Sequence, residues 1–417
     1  MGTFKFYTVD KPGFVSGGFQ QKDSWKNYPV CLECALILEE GKKYLGEFFD
    51  FNFYGIKYLL IPKFIINIDE EEKHNIFKII KDQRDPTYRK SELKRLTSDE
   101  NEVLEIVSKI KNYLNLNFLF YNAPKGYNGA VFNILSYVED ILPSRIRVIF
   151  EIKKEIDVIE IFHNYTIPIF ENNKKVGVKP LEFNFGVLRN FLYDSAEKKW
   201  ISQNYFLEIV NKIFSNRPVS YYFILNLVVN KIRKDFANNY STDSDALKGL
   251  MLIVYLQKLG LIKIKNEANN MNKQTSSMLK TEGEISQKVK NFFKEFADFF
   301  NNDSKKAVFL IGALTQFLLN IQYRLKSSQP FRSRLKGLKL DKKQIEKILP
   351  EIQNKLEEYG ENYYGQLEEL ISKYLVLAGS SWSITNDEIS FYFVLGMNLS
   401  KYFKSEKENK KEGDNNE

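Results

Sequence analysis

Cysteine is nearly absent from this 417-residue chain: Cys31 and Cys34 are the two present. Two cysteines cannot build a disulfide framework, so a reducing, cytoplasmic setting is expected. Histidine is as scarce, with His74 and His163 alone. That leaves little material for a histidine-based acid, base or metal centre. The nucleophile elbow, the H-E-x-x-H helix, the phosphate loop and the dinucleotide fingerprint are all missing. These gaps argue against catalysis, and the chain is expected not to be an enzyme. Long apolar runs are missing too. The nearest candidate, Ala307 to Leu319, is interrupted by Thr315 and Gln316. A buried core helix is expected there rather than a membrane span, and no membrane partner is expected. Met1 to Asp10 lacks the apolar centre of a signal peptide.

What the chain does have is aromatic bulk and positive charge. Hydrophobic residues make up 43%, with 34 Phe and 24 Tyr. That is enough for a sizeable core in two or three domains. Lys and Arg number 61 against 53 Asp and Glu, a formal charge of +8. A basic surplus favours polyanionic partners. The same surplus arises from AT-rich coding, since Lys, Asn, Ile, Phe and Tyr run high together. Local clustering is therefore the better guide.

Along the chain the hydrophobic period changes. Phe49, Phe51 and Phe53 alternate with Asp50 and Asn52, and Ile56, Tyr58 and Leu60 resume the alternation after Tyr54-Gly55. Period two on both sides of a Gly-containing turn predicts a hairpin. Residues 78–111 read as charged helix punctuated by Pro86 and Ser91. A second hairpin is expected from Ile146 to Ile152 and Ile156 to Phe162, turning at Lys153-Lys154-Glu155. From about 203 the spacing becomes helical, as in Phe206, Ile209, Val210, Ile213 and Phe214, and again in Leu247, Leu250, Met251, Val254 and Tyr255. Residues 265–285 lose all periodicity and read as a linker. Five apolar stripes follow, beginning at Val289, Ala307, Ile345 and Tyr364 and after the Thr385–Glu388 capping-box pattern; Asp341 and Gln344 open the third.

These readings predict an α+β chain: a strand-containing amino-terminal region with a C-x-x-C knuckle, then a mostly helical region, then a carboxy-terminal five-helix bundle. The expected boundaries are a C-x-x-C segment over 1–48, a mixed region over 49–200, helices over 201–264, the linker 265–285, a bundle over 286–404 able to fold alone, and a disordered tail over 405–417.

Two motifs carry chemistry. Cys31-Leu32-Glu33-Cys34 has the spacing of half a tetrahedral zinc site, with no second pair to complete it. The competing reading is two ordinary buried cysteines; a redox role lacks the surrounding βαβ pattern. The sharper charge signal is at 324–347. There Arg324, Lys326, Arg332, Arg334, Lys336, Lys339, Lys342, Lys343 and Lys347 stand against Asp341 and Glu346. Such a cluster neutralises phosphates along a nucleic-acid backbone. The alternative is a solvated helix face partnered by Glu351, Glu357, Glu358, Glu361, Glu368 and Glu369.

The stretch Asp10-Lys11-Pro12-Gly13, Ser16-Gly17-Gly18-Phe19 and Trp25-Lys26-Asn27-Tyr28-Pro29-Val30-Cys31-Leu32-Glu33-Cys34-Ala35 resembles the central segment of the large-subunit family of subtype I-B CRISPR Cascade complexes. Leu38 to Tyr44, Leu60 to Lys63, Leu116 to Tyr121, Leu142 to Arg145, Lys306 to Gly312, Gln329 to Phe331 and Leu335 to Leu338 continue it in order. Family chains extend upstream of this start, so the resemblance implies an amino-terminally shortened member. It implies a non-catalytic subunit that works with the Cascade backbone and other subunits, the guide RNA and target DNA. It further implies that the subunit stabilises the displaced single strand, recruits the helicase-nuclease and carries a carboxy-terminal bundle like the Cascade small subunit. Zinc is the cofactor expected at Cys31 and Cys34. The remaining readings are a metal-dependent nuclease of antiviral defence and a purely structural bridging subunit.

Overall fold

Alternating aromatic residues build the first sheet. In the computed structural model, which describes residues 21–26, 30–82, 99–122, 133–171, 174–264, 283–361 and 363–403, helix α1 (Leu32–Phe48) leads into β1 (Asp50–Phe53) and β2 (Ile56–Phe64). Tyr54 and Gly55 between them have φ of 52° and 88°. Paired left-handed residues match the twist of a hairpin. The Gly55 N–H donates to Asn52 Oδ1 at 2.7 Å, which closes the turn. After α2 (Glu70–Asp82) and α3 (Asp99–Ser108), β3 (Leu114–Asn122) and β4 (Asn133–Ile141) complete an antiparallel sheet in the order β1-β2-β3-β4. The helix expected over 78–111 is thus seen as its two ends, and 83–98 lies outside the described residues. Register pairs Phe51 with Tyr58, Tyr58 with Phe120 and Leu60 with Phe118, so one face is apolar and buried. Where the β3–β4 ladder is irregular, the buried Asn117 bridges it. Its Nδ2 donates to the Ile61 carbonyl at 3.1 Å and its Oδ1 accepts the Asp140 N–H at 2.9 Å.

The second hairpin does not form. Residues Pro143–Asp157 are a helix, α4, and Glu160–His163 make one further helical turn. Ile146, Val148, Phe150 and Ile152 alternate like a strand, but the buried residues are Ile146, Ile149, Phe150 and Ile156, while Val148 is exposed. Both periods are written in these residues, and the helical one matches the core. Pro143 at the first helical position favours it. A hairpin does occur just beyond, between β5 (Thr166–Glu171) and β6 (Lys174–Pro180).

Helix α5 (Gln203–Phe214) covers the sheet: Phe206 lies 5.9 Å from Phe53 and Phe214 lies 5.0 Å from Phe118, ring to ring. Among the described residues the chain divides into two compact units, one within 1–155 and 184–217, the other within 156–183 and 218–417.

The second unit is helical: α6 (Tyr221–Ala237), α7 (Asp243–Lys258), α8 (Glu284–Glu295), α9 (Asp303–Lys326), a 3-10 segment at Pro330–Leu338, α10 (Lys342–Glu358), α11 (Gly365–Ala378) and α12 (Asn386–Leu399). All five expected stripes are helices, and α10 and α12 begin on the expected capping boxes. The first stripe is shorter than its apolar pattern. α8 stops at Glu295, and Phe296, Phe299 and Phe300 follow as a buried turn. α12 departs further from expectation: every residue from Glu388 to Met397 is buried, so it is a central helix and not an amphipathic one. α9 is equally enclosed. It is long and apolar enough to cross a membrane, yet 72% of its apolar window is buried inside the unit.

Contact between α9 and α12 is backbone to backbone. A Cβ on Gly312 would run into the Phe393 carbonyl, and one on Gly396 into the Phe309 carbonyl. The opposite side of α12 rests on α6 and α7. Phe391 packs at Gly249, and Arg233 donates to Ser390 Oγ at 3.0 Å and pairs with Asp387 at 2.8 Å. The second unit is therefore larger than the bundle expected over 286–404, because α12 has core contacts before the linker as well as after it. Residues 265–282 of that linker and the tail 404–417 lie outside the described residues.

Replacing Gly312 or Gly396 by Ala should destabilise the protein by about 1–3 kcal/mol or more, since backbone rather than a side chain has to move. A thermal melt checks this, and Gly41→Ala, where nothing lies within 4 Å of the added Cβ, is the control expected not to lower the midpoint.

Candidate nucleic-acid interface

Cys31 is the N-cap of α1: its Sγ accepts the Cys34 N–H at 3.4 Å. That backbone bond, with the contact from the Cys34 side chain, pulls the Cys31 thiol below its ordinary value. The hydrogen bond and charge of Cys31 push Cys34 up. Both sulfurs are exposed, so the reading of two ordinary buried cysteines is corrected. Adjacent exposed thiols at a helix start fit one edge of a tetrahedral site. Among the described residues no group of three or more His, Cys, Asp or Glu gathers to complete one.

Charged groups in the core do a different job. Lys305 and Glu388, 5% and 4% exposed, pair at 3.3 Å. Tyr221 donates to Glu388 at 3.3 Å, and the other Glu388 oxygen accepts from the Thr385 N–H at 2.9 Å. Burial first, then Glu388, raises the Tyr221 phenol well above its ordinary range. The cluster ties α6, α9 and α12 together, and the Glu388 carboxylate is fully engaged in doing so.

The basic stretch lies in the second unit and takes three settings there. At the end of α9, Arg324 is ion-paired with Glu361, and Lys326 donates to the Tyr359 hydroxyl at 3.2 Å. Burial raises the Tyr359 phenol, but hydrogen bonds from Lys326 and Gln322 outweigh it, and the net direction is down. The 3-10 segment is anchored by Gln322, whose Oε1 accepts the Phe331 N–H at 3.0 Å. Arg332 is half-buried: its guanidinium lies 3.8 Å from the Phe236 ring centroid and donates to the Phe236 carbonyl at 3.2 Å. Desolvation lowers its pKa. Arg334 is exposed, with Nε 3.9 Å from Glu351.

The chain then turns through three left-handed residues, Lys336, Gly337 and Leu338, with φ of 46°, 63° and 62°. The Leu338 side chain is buried, and its carbonyl accepts from Arg233 Nε at 3.2 Å, which holds this unfavourable conformation. Lys342 begins α10, paired with Glu346 at 3.5 Å and donating to the Ser380 carbonyl. Lys336, Lys339, Lys343 and Lys347 are exposed, and their side chains have no ion pair among the described residues.

These contacts fix a direction. Arg324 and Lys326 meet α10 at its carboxy-terminal end, Arg334 meets it at mid-length, and Lys342 and Lys343 open it. Arg324, Lys326, Arg334 and Lys342 thus meet the end, middle and start of a helix of 17 residues, about 25 Å long at the usual rise. The contacts set Arg332 apart as a packing residue and place carboxylates beside three of the cations, at Glu346, Glu351 and Glu361. Tyr323 and Leu325, exposed beside Arg324 and Lys326, were missed by a reading that counted charges. Their alternation with the cations was the available signal.

Arg332→Ala should lower the melting midpoint by a few degrees, through loss of about 1–2 kcal/mol of cation–π and hydrogen-bond contact. Lys336→Ala should leave it unmoved. Equal midpoints for the two variants would return Arg332 to the exposed set.

Comparison with known families gives two matches. The CRISPR-associated protein TM1802 (cas_TM1802) C-terminal domain matches residues 183–411, and the central domain of the same protein matches residues 1–141. No curated protein matches the chain. With more than half its length matched by the C-terminal domain alone, and the sheet region by the central domain, the chain belongs to the CRISPR-associated TM1802 family and has a role in CRISPR defence alongside the CRISPR machinery.

Proposed function

We propose that this chain is a non-catalytic subunit of a CRISPR effector complex, of the large-subunit type of subtype I-B Cascade. Its second unit lies along separated single-stranded nucleic acid, as the Cascade small subunit does. The single observation that carries this reading is the group of exposed cations running from the 3-10 segment into the start of α10: Arg334, Lys336, Lys339 and Lys343, with Lys347 one turn on. Guide pairing reads sequence in such complexes, while protein supplies backbone contacts. A row of lysines without shape for a base edge suits that division. In this reading the subunit joins the Cascade backbone and other subunits, the guide RNA and the target DNA, and it presents a surface to the helicase-nuclease.

Reversing Lys336, Lys339 and Lys343 to Glu should weaken binding of single strands of any sequence about equally. Each lost phosphate contact should flatten the slope of log affinity against log salt by roughly 0.7. The melting midpoint should barely change, because exposed charges contribute little to stability. An unchanged slope with intact affinity would make the group a solvated face or a protein-docking patch, and would favour a bridging subunit.

We also propose that Cys31 and Cys34 supply two thiolates to a zinc ion whose other ligands lie outside the described residues. The ion would brace the start of α1. Metal analysis of the purified protein should find zinc that Cys31→Ser with Cys34→Ser removes. Zinc content unaffected by that double substitution would end the proposal.

A further inference from the structure

The last residues of α9 are exposed. Tyr323, Arg324, Leu325 and Lys326 are consecutive and all exposed, Tyr323 at 63% and Leu325 at 52%. Among the described residues the Tyr323 ring makes no hydrogen bond and no ring contact. Other tyrosines at this end are used in packing. Tyr364 stacks on Phe317 at 4.7 Å, nearly parallel at 8°. The Tyr359 hydroxyl accepts from Lys326 and Gln322. Tyr323 instead offers its ring to solvent, with Arg324 next to it and Lys326 one helical turn on.

We propose that Tyr323 is a base-stacking platform for single-stranded nucleic acid lying on the basic residues. The inference rests on the nucleic-acid reading above and adds the bases to it. Arg324, Lys326 and the lysines along α10 attract phosphates. A strand held by its phosphates swings its bases outward, where an exposed ring can receive one. Each base has a π-face, so stacking adds affinity without sequence preference. The occupant is nucleic acid rather than protein because the ring has cations on its own helix turn, and charge complementarity selects a polyanion.

The test uses the full chain with two strands of equal length, oligothymidine and its abasic counterpart, which share phosphates and differ in bases. The wild-type chain should hold oligothymidine about 5- to 100-fold tighter than the abasic strand. Tyr323→Ala should erase that preference while leaving abasic affinity, salt slope and melting midpoint in place. Tyr323→Trp should retain the preference. Equal wild-type affinity for both strands, or a preference that survives Tyr323→Ala, would overturn the stacking role and leave the role of the basic residues standing. Failure to bind either strand would remove the nucleic-acid reading, and this proposal with it.

Discussion

The second unit depends on one approach, that of α9 to α12 through Gly312 and Gly396. With no Cβ at either position the two backbones touch, and the helix axes come closer than any larger residue allows. Among the described residues, α6, α7, α8, α10 and α11 are arranged around that pair. α11 and the Phe292–Phe293–Phe300 cluster cover one side, where Phe309 packs against Phe292 at 5.3 Å and Phe300 at 5.1 Å. α6 and α7 cover the other. The buried Lys305–Glu388 pair sits at one end of the contact. Removing either partner would leave a buried charge alone, which costs far more than the pair contributes.

Much of this was legible in the residues. Capping boxes at Asp341–Gln344 and Thr385–Glu388 mark helix starts because their bonds are local, as the structure shows. Tyr54-Gly55 marks a hairpin for the same reason. What was illegible depends on partners far along the chain. Ile146 to Ile152 satisfies two periods at once, and the packing that selects the helical one is tertiary. That α12 is enclosed on all sides shows in its composition only as a nearly continuous apolar stretch, Phe391 to Met397. Charge counting found the basic cluster but could not see Phe236 beneath Arg332, which lies in a helix made long before it.

The carboxylates beside the basic residues have a physical role of their own. Glu346, Glu351 and Glu361 each stand within reach of a cation. Arg334–Glu351 is exposed on both sides, and pairs of that kind are worth little and exchange readily. In the proposed reading they act as internal substitutes for phosphate: a polyanion must displace them one by one. A short or sparse anion gains too little to do so, while a continuous backbone releases counterions along its whole length. On that reading the basic residues respond to length of charge rather than to charge alone.

The position of α12 in the chain has a consequence for biosynthesis. It is the centre of its unit, yet it is the last made of the helices it gathers. On the ribosome α6 through α11 emerge with their inner faces uncovered, and the gap against Gly312 stays open until residues 386–399 arrive. A nonsense codon or stall anywhere before that point yields a shell without its axle, rich in exposed phenylalanine. Such intermediates are prone to aggregate.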